Sequence, residues 1–259
     1  MDPIIFYKYQ ATGNDFILVD DRRNIFPDQL DAVTFLCDRK FGIGSDGLIL
    51  LRVAKENDFE MVFYNPDGSQ SLCGNGSRCA VKFAEKLGMV SGKCSFLAYD
   101  GPHEAELLSD GRVRLGMRDV QNVRQLDDGM FVDTGSPHLI RYVQDIEAVD
   151  VYGRGREIRY NHTFQEKGVN INFVSLENDC IRVRTYERGV ENETLSCGTG
   201  VTAAALASSQ RNMESPVLVK TKGGELEVSF VREAGDTFSS IYLTGPAVEV
   251  FNGTIEWKQ

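Results

Sequence analysis

Hydrophobic and polar positions along this chain alternate in short runs more often than they recur at helical spacing. Ile4–Tyr9, Phe16–Asp20, Leu48–Val53, Glu60–Tyr64 and Phe96–Tyr99 each predict a β-strand. Asp110-Gly111 is a hairpin dipeptide, and the alternation on either side of it predicts that Glu104–Leu108 pairs with Arg112–Met117. Three helices interrupt the strands. The first is expected from an Asp28 cap through Arg39, with Leu30, Val33, Leu36 and Cys37 at helical spacing. The second covers about Gly76 to Leu87, apolar along Cys79, Phe83 and Leu87, and stops at Gly88. The third, about Gly198 to Ser209, is small and apolar nearly all round through Val201, Ala203, Ala204, Ala205, Leu206 and Ala207. That pattern predicts a helix buried on every side, wrapped by sheet.

The pattern occurs twice. Cys73-Gly74-Asn75-Gly76 opens the second helix and Cys197-Gly198-Thr199-Gly200 the third (197 − 73 = 124). Thr12-Gly13-Asn14 precedes one apolar strand and Thr134-Gly135-Ser136 another (134 − 12 = 122). The strand before each cysteine also recurs, Phe59–Tyr64 leading to Asn65 and Ile181–Tyr186 leading to Glu187. Three features in the same order at nearly constant offset imply two homologous halves, each with strands around a central helix whose N-terminus carries a cysteine. The expected division is residues 1–116 with a returning strand in 245–259, and 117–244. The run Gly245–Trp257 could instead finish the second half; the return is the expected course.

Helix N-termini present unpaired N–H groups and a partial positive charge, which bind anions and favour thiolate over thiol. One such cysteine suggests a nucleophile. Two related by pseudo-symmetry suggest that both face one ligand, with both helix ends aimed at its carboxylate. That suits inversion at a carbon α to a carboxylate, one thiolate removing a proton and the opposite thiol supplying one. Two adjacent thiolates would repel, so the pair should titrate together as one thiolate and one thiol. The other cysteines, Cys37, Cys79, Cys94 and Cys180, read as small buried hydrophobes. His138, beside the Gly135-Ser136-Pro137 loop, is open to a structural or a site role. Glu187-Arg188 would ordinarily be a solvated surface pair, but its place just before the second cysteine, matching Asn65, points to a substrate role.

Composition narrows the setting. With 259 residues, 42% hydrophobic and 25% charged, the chain is long enough for one large or two small globular domains. Lys and Arg number 28 against 38 Asp and Glu, a net charge of −10, and no basic cluster is dense enough to track a phosphate backbone. Nucleic acid and anionic membranes are therefore not expected as partners. Neither a signal-like N-terminus nor a membrane-length apolar run is present, so the expected location is cytoplasmic, where six cysteines stay reduced. No Cys-x-x-Cys pair occurs, and His103, His138 and His162 lack helical pairing, so no structural zinc is expected.

The chain resembles the diaminopimelate epimerase family. The resemblance rests on Gly13-Asn14-Asp15-Phe16, Gly42-Ile43-Gly44-Ser45-Asp46-Gly47, Asn65-Pro66-Asp67-Gly68-Ser69, Cys73-Gly74-Asn75-Gly76-Ser77-Arg78-Cys79, Gly135-Ser136-Pro137-His138, Glu187-Arg188-Gly189 and Ser196-Cys197-Gly198-Thr199-Gly200, spread over nearly the whole length in the family's order. It implies an α/β fold of two pseudo-symmetric domains, each a mostly antiparallel sheet curled around a central helix, with the last strand returning to the first. It further implies interconversion of LL- and meso-2,6-diaminoheptanedioate without cofactor or metal, by a homodimer whose domains close over the substrate. By motif, Cys73 and Cys197 would be the acid–base pair, and the backbones of Gly74, Asn75, Gly198 and Thr199 would hold the reacting carboxylate. Asn14, Asn65, Asn170, Glu187 and Arg188 would contact the substrate, with Arg188 at the distal end, and His138 and Glu187 would tune the thiols. The chain departs from the pattern at Ser136, where the usual residue is Asn, and at Gly47, where some members carry Gln.

Rival readings are a proline racemase or hydroxyproline epimerase, a racemase of another long amino acid such as histidine, and a non-catalytic amino-acid-binding protein. The first group typically has His at the position of Asn75. The last gives no reason for paired cysteines.

Overall fold

Two units with the same strand order make up the chain. In the computed structural model, which describes residues 3–27 and 29–256, the chain divides into Met1–Leu115 with Gly245–Gln259, and Gly116–Thr244. The elements run β1 (Ile4–Ala11), β2 (Asn14–Asp20), α1 (Leu30–Cys37), β3 (Gly47–Arg52), β4 (Phe59–Tyr64), α2 (Gly74–Lys86), β5 (Lys93–Ala98), β6 (Gly101–Leu107) and β7 (Val113–Gly116). They continue with β8 (Val123–Leu126), β9 (Gly129–Asp133), β10 (Pro137–Tyr142), α3 (Val151–Arg159), β11 (Asn170–Leu176), β12 (Cys180–Glu187), β13 (Asn192–Thr194) and α4 (Gly198–Ser208). The chain closes with β14 (Val217–Thr221), β15 (Gly224–Arg232), β16 (Phe238–Gly245) and β17 (Val248–Ile255).

In the first unit the hydrogen-bonded order is β17-β1-β2-β3-β4-β5-β6-β7, antiparallel except for β2–β3 and β4–β5. In the second it is β8-β9-β10-β11-β12-β14-β15-β16, with β10–β11 and β12–β14 parallel at the matching places. β17 therefore takes beside β1 the place that β8 takes beside β9. Parallel neighbours need a crossover, and among the described residues each of the four parallel pairs is joined by one of the α-helices α1–α4.

That requirement explains α3, which the hydrophobic pattern does not announce. It buries only Val151 and Gly155, and it starts because Asp150 accepts the Gly153 N–H at 2.9 Å. Gly155 lies against β12: a Cβ there would meet the Tyr186 Cβ at 2.5 Å. Gly155→Ala should therefore destabilise the protein by about 1–3 kcal/mol despite alanine's better helix propensity. Thermal unfolding followed by circular dichroism checks this, and an unchanged Tm would refute it.

The two central helices are built differently. All of α4 except Thr199 is buried, and its small residues let Val132, Ile140, Val174, Val183, Val219 and Leu226 close around it. α2 packs on β1, β2, β3, β4 and β6 through a face that includes Cys79, Ala80, Phe83 and Ala84. It ends where Gly88 turns left-handed (φ 70°) and the Met89 N–H reaches back to the Ala84 carbonyl at 2.9 Å. The Asp110-Gly111 hairpin has Glu106 opposite Arg114 and Leu107 opposite Val113. α1 stops at Cys37, two residues short of Arg39, because the Asp38 carboxylate accepts the N–H groups of Lys40 and Phe41 and turns the chain out. The expected Asp28 cap lies outside the described residues. No helix among the described residues is long and apolar enough to cross a membrane.

Candidate active site

Cys73 is the N-cap of α2, so that helix starts two residues before the expected Gly76. Its backbone is extended (φ −129°, ψ 111°), and its Sγ accepts the Gly76 N–H at 3.5 Å. Ser77 donates twice to the Cys73 carbonyl, through N and Oγ, which locks the cysteine against the first turn. The β1–β2 hairpin brings Asn14 to it through two left-handed residues, Thr12 (φ 49°) and Gly13 (φ 85°). Asn14 Oδ1 accepts from Asn75 Nδ2 at 3.3 Å and lies 3.8 Å from Cys73 Sγ, while Asn14 Nδ2 donates to Asp46 at 2.6 Å.

Arg78, one turn along α2, is fully buried and donates to Asn75 Oδ1 at 2.9 Å. Burial pulls its pKa down to about 10, still far above neutrality, so it places a cation near Cys73 and Cys79. Asn65 donates to Ser69 and Ser71 in its own loop.

An ionic network supports Asn14 from below. Lys8, 6% exposed, bonds the Gly44 carbonyl and lies 2.6 Å from Asp15, which Arg39 also contacts at 2.6 Å. Burial alone would raise the Asp15 carboxyl, but hydrogen bonds from Arg39 and Lys8 outweigh it and hold the group at about 2. The folded value lies below the unfolded one near 3.9, so the stabilisation is full above that pH and is lost as pH falls towards about 2. Asp15→Asn should thus cost on the order of 2 kcal/mol at neutral pH and little at about pH 2. Urea unfolding at both pH values tests this, and an equal cost at both would refute it.

In the second unit, Cys197 is the N-cap of α4, again with extended backbone (φ −119°, ψ 110°). Its Sγ lies 3.5 Å from Thr199 Oγ1, which is 3.0 Å from His138 Nε2. His138 is wholly buried, and burial together with the Arg188 charge lowers its pKa to about 3, so the ring is neutral. A second group forms at the start of β11. Asn170 Nδ2 donates to Ser136 Oγ at 2.9 Å and to the Pro137 carbonyl, while its Oδ1 accepts the Arg188 N–H at 2.9 Å. Arg188 Nη1 donates to the Lys167 carbonyl at 3.0 Å, and Nη2 lies 3.5 Å from Ser136 Oγ. Glu187, at the end of β12, accepts from Thr194 Oγ1 at 2.7 Å.

Neither α2 nor α4 has an acidic residue in its first turn. Each N-terminus therefore offers N–H donors and a positive dipole end beside a thiol, the setting for a thiolate and for a carboxylate ligand. The other four cysteines differ. Burial pushes the thiols of Cys37, Cys79 and Cys180 up, and that of Cys94 to about 11, which leaves them unreactive at neutral pH.

A family profile described as diaminopimelate epimerase matches residues 6–123 and 130–250. The chain belongs to the diaminopimelate epimerase family. The diaminopimelate epimerase of Flavobacterium psychrophilum is 47% identical over 254 residues, covering 96% of this chain and 99% of the relative. That of Aquifex aeolicus is 40% identical over 274 residues, covering 96% and 97%. Among solved structures, a PhzF-family phenazine biosynthesis protein of Bacillus anthracis matches with a TM-score of 0.77 at 13% identity, over 99% of this chain and 100% of the other. A probable proline racemase of Agrobacterium radiobacter matches with a TM-score of 0.72 at 17% identity, over 98% and 93%. These last two share the fold alone.

Both departures from the family's pattern have local reasons. A Cβ at Gly47 would meet the Phe63 ring at 2.3 Å, so the glycine accompanies that packing. At Ser136 the hydroxyl still accepts from Asn170 and holds the Arg188 group together. Arg78, Asn172 and Thr185 were not singled out from the sequence as site residues. A polar residue inside an otherwise apolar strand, as in Asn170-Ile171-Asn172-Phe173-Val174, is the signal that marks Asn172.

Proposed function

We propose that this isomerase converts LL-2,6-diaminoheptanedioate to the meso form, serving lysine and peptidoglycan precursor synthesis, with Cys73 and Cys197 as the base and acid. The observation that carries the reading is the placing of both cysteines as N-caps of central helices in two units of one topology. One thiolate removes the Cα proton and the other thiol delivers a proton to the opposite face. The N–H groups of Gly74, Asn75, Gly198 and Thr199 hold the α-carboxylate and stabilise the charge that develops there, so no metal or organic cofactor is needed.

Arg188, with Ser136 and Asn170, takes the distal carboxylate, and Asn14, Asn65 and Glu187 contact the amino and carboxylate groups. His138 and Glu187 tune the thiols. The protein works as a homodimer; Val248 and Phe251, exposed on one face of the edge strand β17, are suited to a second copy. The protein works in the cytoplasm, on a small molecule and without nucleic acid or membrane. The test is incubation of the purified protein with LL-diaminoheptanedioate, following meso product by chiral chromatography with proline and histidine as controls. Turnover of proline alone would sink the proposal.

A further inference from the structure

The two cysteines occupy matching places, but their surroundings differ. A Cβ on Gly76, three residues after Cys73, would meet Ile49 at 3.2 Å and Phe16 at 3.5 Å, and Ile49 pairs across the sheet with Phe63. A Cβ on Gly200, three residues after Cys197, would meet Asn172 Oδ1 at 2.4 Å and His138 at 3.3 Å, and Asn172 pairs with Thr185. Thus Phe16, Ile49 and Phe63 in the first unit correspond to His138, Asn172 and Thr185 in the second, and all six are buried. Buried polar groups cost free energy unless bonded. These three are bonded, in one line that ends on Cys197.

The far end of the line sets its direction. Thr185 Oγ1 donates to Asn172 Oδ1 at 2.9 Å, which turns Asn172 Nδ2 towards His138 Nδ1 at 3.1 Å and the Leu139 carbonyl at 3.5 Å. An amide NH2 only donates, so His138 Nδ1 accepts and the ring proton is on Nε2. Nε2–H then donates to Thr199 Oγ1 at 3.0 Å, and the Thr199 proton is left for Cys197 Sγ at 3.5 Å. Hydrogen bonds donated to sulfur favour the thiolate. Of the two charged residues at the end of β12, Arg188 helps to keep His138 neutral, while Glu187 is engaged with Thr194. Beside Cys73 the surroundings are mixed: Asn14, oriented by Asp46, presents its carbonyl oxygen 3.8 Å from the sulfur, while the Gly76 N–H donates to the same sulfur and buried Arg78 places a cation near it.

We infer that Asn172 and Thr185 are positioning residues that lock His138 as the Nε2–H tautomer and direct the Thr199 hydroxyl proton onto Cys197, which favours its thiolate. The inference rests on the proposed two-thiol function for its catalytic meaning: the line prepares Cys197 to act as a base.

Nitrogen NMR of protein carrying isotope-labelled histidine reads the tautomer directly, because the chain has only three histidines and His138→Gln assigns the signal. The neutral Nε2–H tautomer is expected near neutral pH; the Nδ1–H tautomer or an imidazolium overturns the inference. Iodoacetamide with peptide mapping should label Cys197 near neutral pH, although Cys197 is only 8% exposed. Thr199→Val should slow labelling at Cys197 by about tenfold or more, the worth of a hydrogen bond to a charged group, and Thr199→Ser should restore it. Asn172→Leu should lose the tautomer and slow labelling at Cys197. Should it not fold, Thr185→Val, which unlocks the Asn172 amide, takes its place. Cys197 left unlabelled near neutral pH, or a Thr199→Val rate equal to wild type, overturns the inference. If the tautomer and labelling hold but diaminoheptanedioate is not epimerised, the proposed function fails and the relay stands.

Discussion

Cys73→Ala and Cys197→Ala should each lower epimerisation by about a thousandfold or more, since general acid–base transfer alone contributes roughly 10²–10⁴ and the proposed reaction uses one thiol on each face of the planar intermediate. The loss will be chemical rather than structural. Cys197 makes no side-chain cap bond to its helix, and the bond Cys73 accepts from Gly76 is long at 3.5 Å, so alanine leaves both helix starts intact. Chiral chromatography of the LL-to-meso conversion measures the loss. A β-halogenated analogue supplies the control, because eliminating its leaving group needs one base, and each single variant should retain part of that activity. Near wild-type epimerisation by Cys73→Ala would end the two-base reading.

Arg188→Lys should reduce kcat/KM for diaminoheptanedioate by about 10- to 100-fold, the range expected when one charge-assisted hydrogen bond is lost. A guanidinium binds a carboxylate through two parallel N–H groups, and an ammonium does not reproduce that fork. The side chain is also held in place: Lys167 accepts from it, and Ser136 Oγ lies within reach of it. Gly168 (φ 73°) makes the room, since a Cβ there would lie 2.6 Å from Arg188 Cδ. In the proposed reaction, binding energy at the distal head helps to orient the reacting carbon, so kcat should fall as well as KM rise. Steady-state kinetics equal to wild type would remove Arg188 from the site.

Some of the protein was legible without tertiary information, and the reason is that the governing interactions are local. The all-round apolar pattern of Gly198–Ser209 needs only its composition to demand burial, and α4 is buried. Gly88 and Asp110-Gly111 act through backbone angles within a few residues, so helix stop and hairpin followed from them. Cysteine before a glycine-rich helix start is likewise a local arrangement, and both cysteines are N-caps. Local rules reach less far at helix ends. Asp38 ends α1 early by bonding two N–H groups beyond it, and Asp150 starts a helix with almost no apolar face.

What only the tertiary structure decided involves partners distant in the chain. The place of β17 beside β1 joins the two ends of the sequence. Arg78 is a buried cation because Asn75, Thr12 and the carbonyls of Gly74 and Pro246 surround it, and an Arg in a helix sequence otherwise reads as exposed. The line from Thr185 to Cys197 depends on His138 meeting Asn172 across 34 residues and Thr199 across 61. The repeat pairs Cys73 with Cys197 as equals. The asymmetry between them arises where sheet packing brings polar residues against one helix and apolar residues against the other, because hydrogen bonds between buried side chains are set by three-dimensional proximity and not by spacing along the chain.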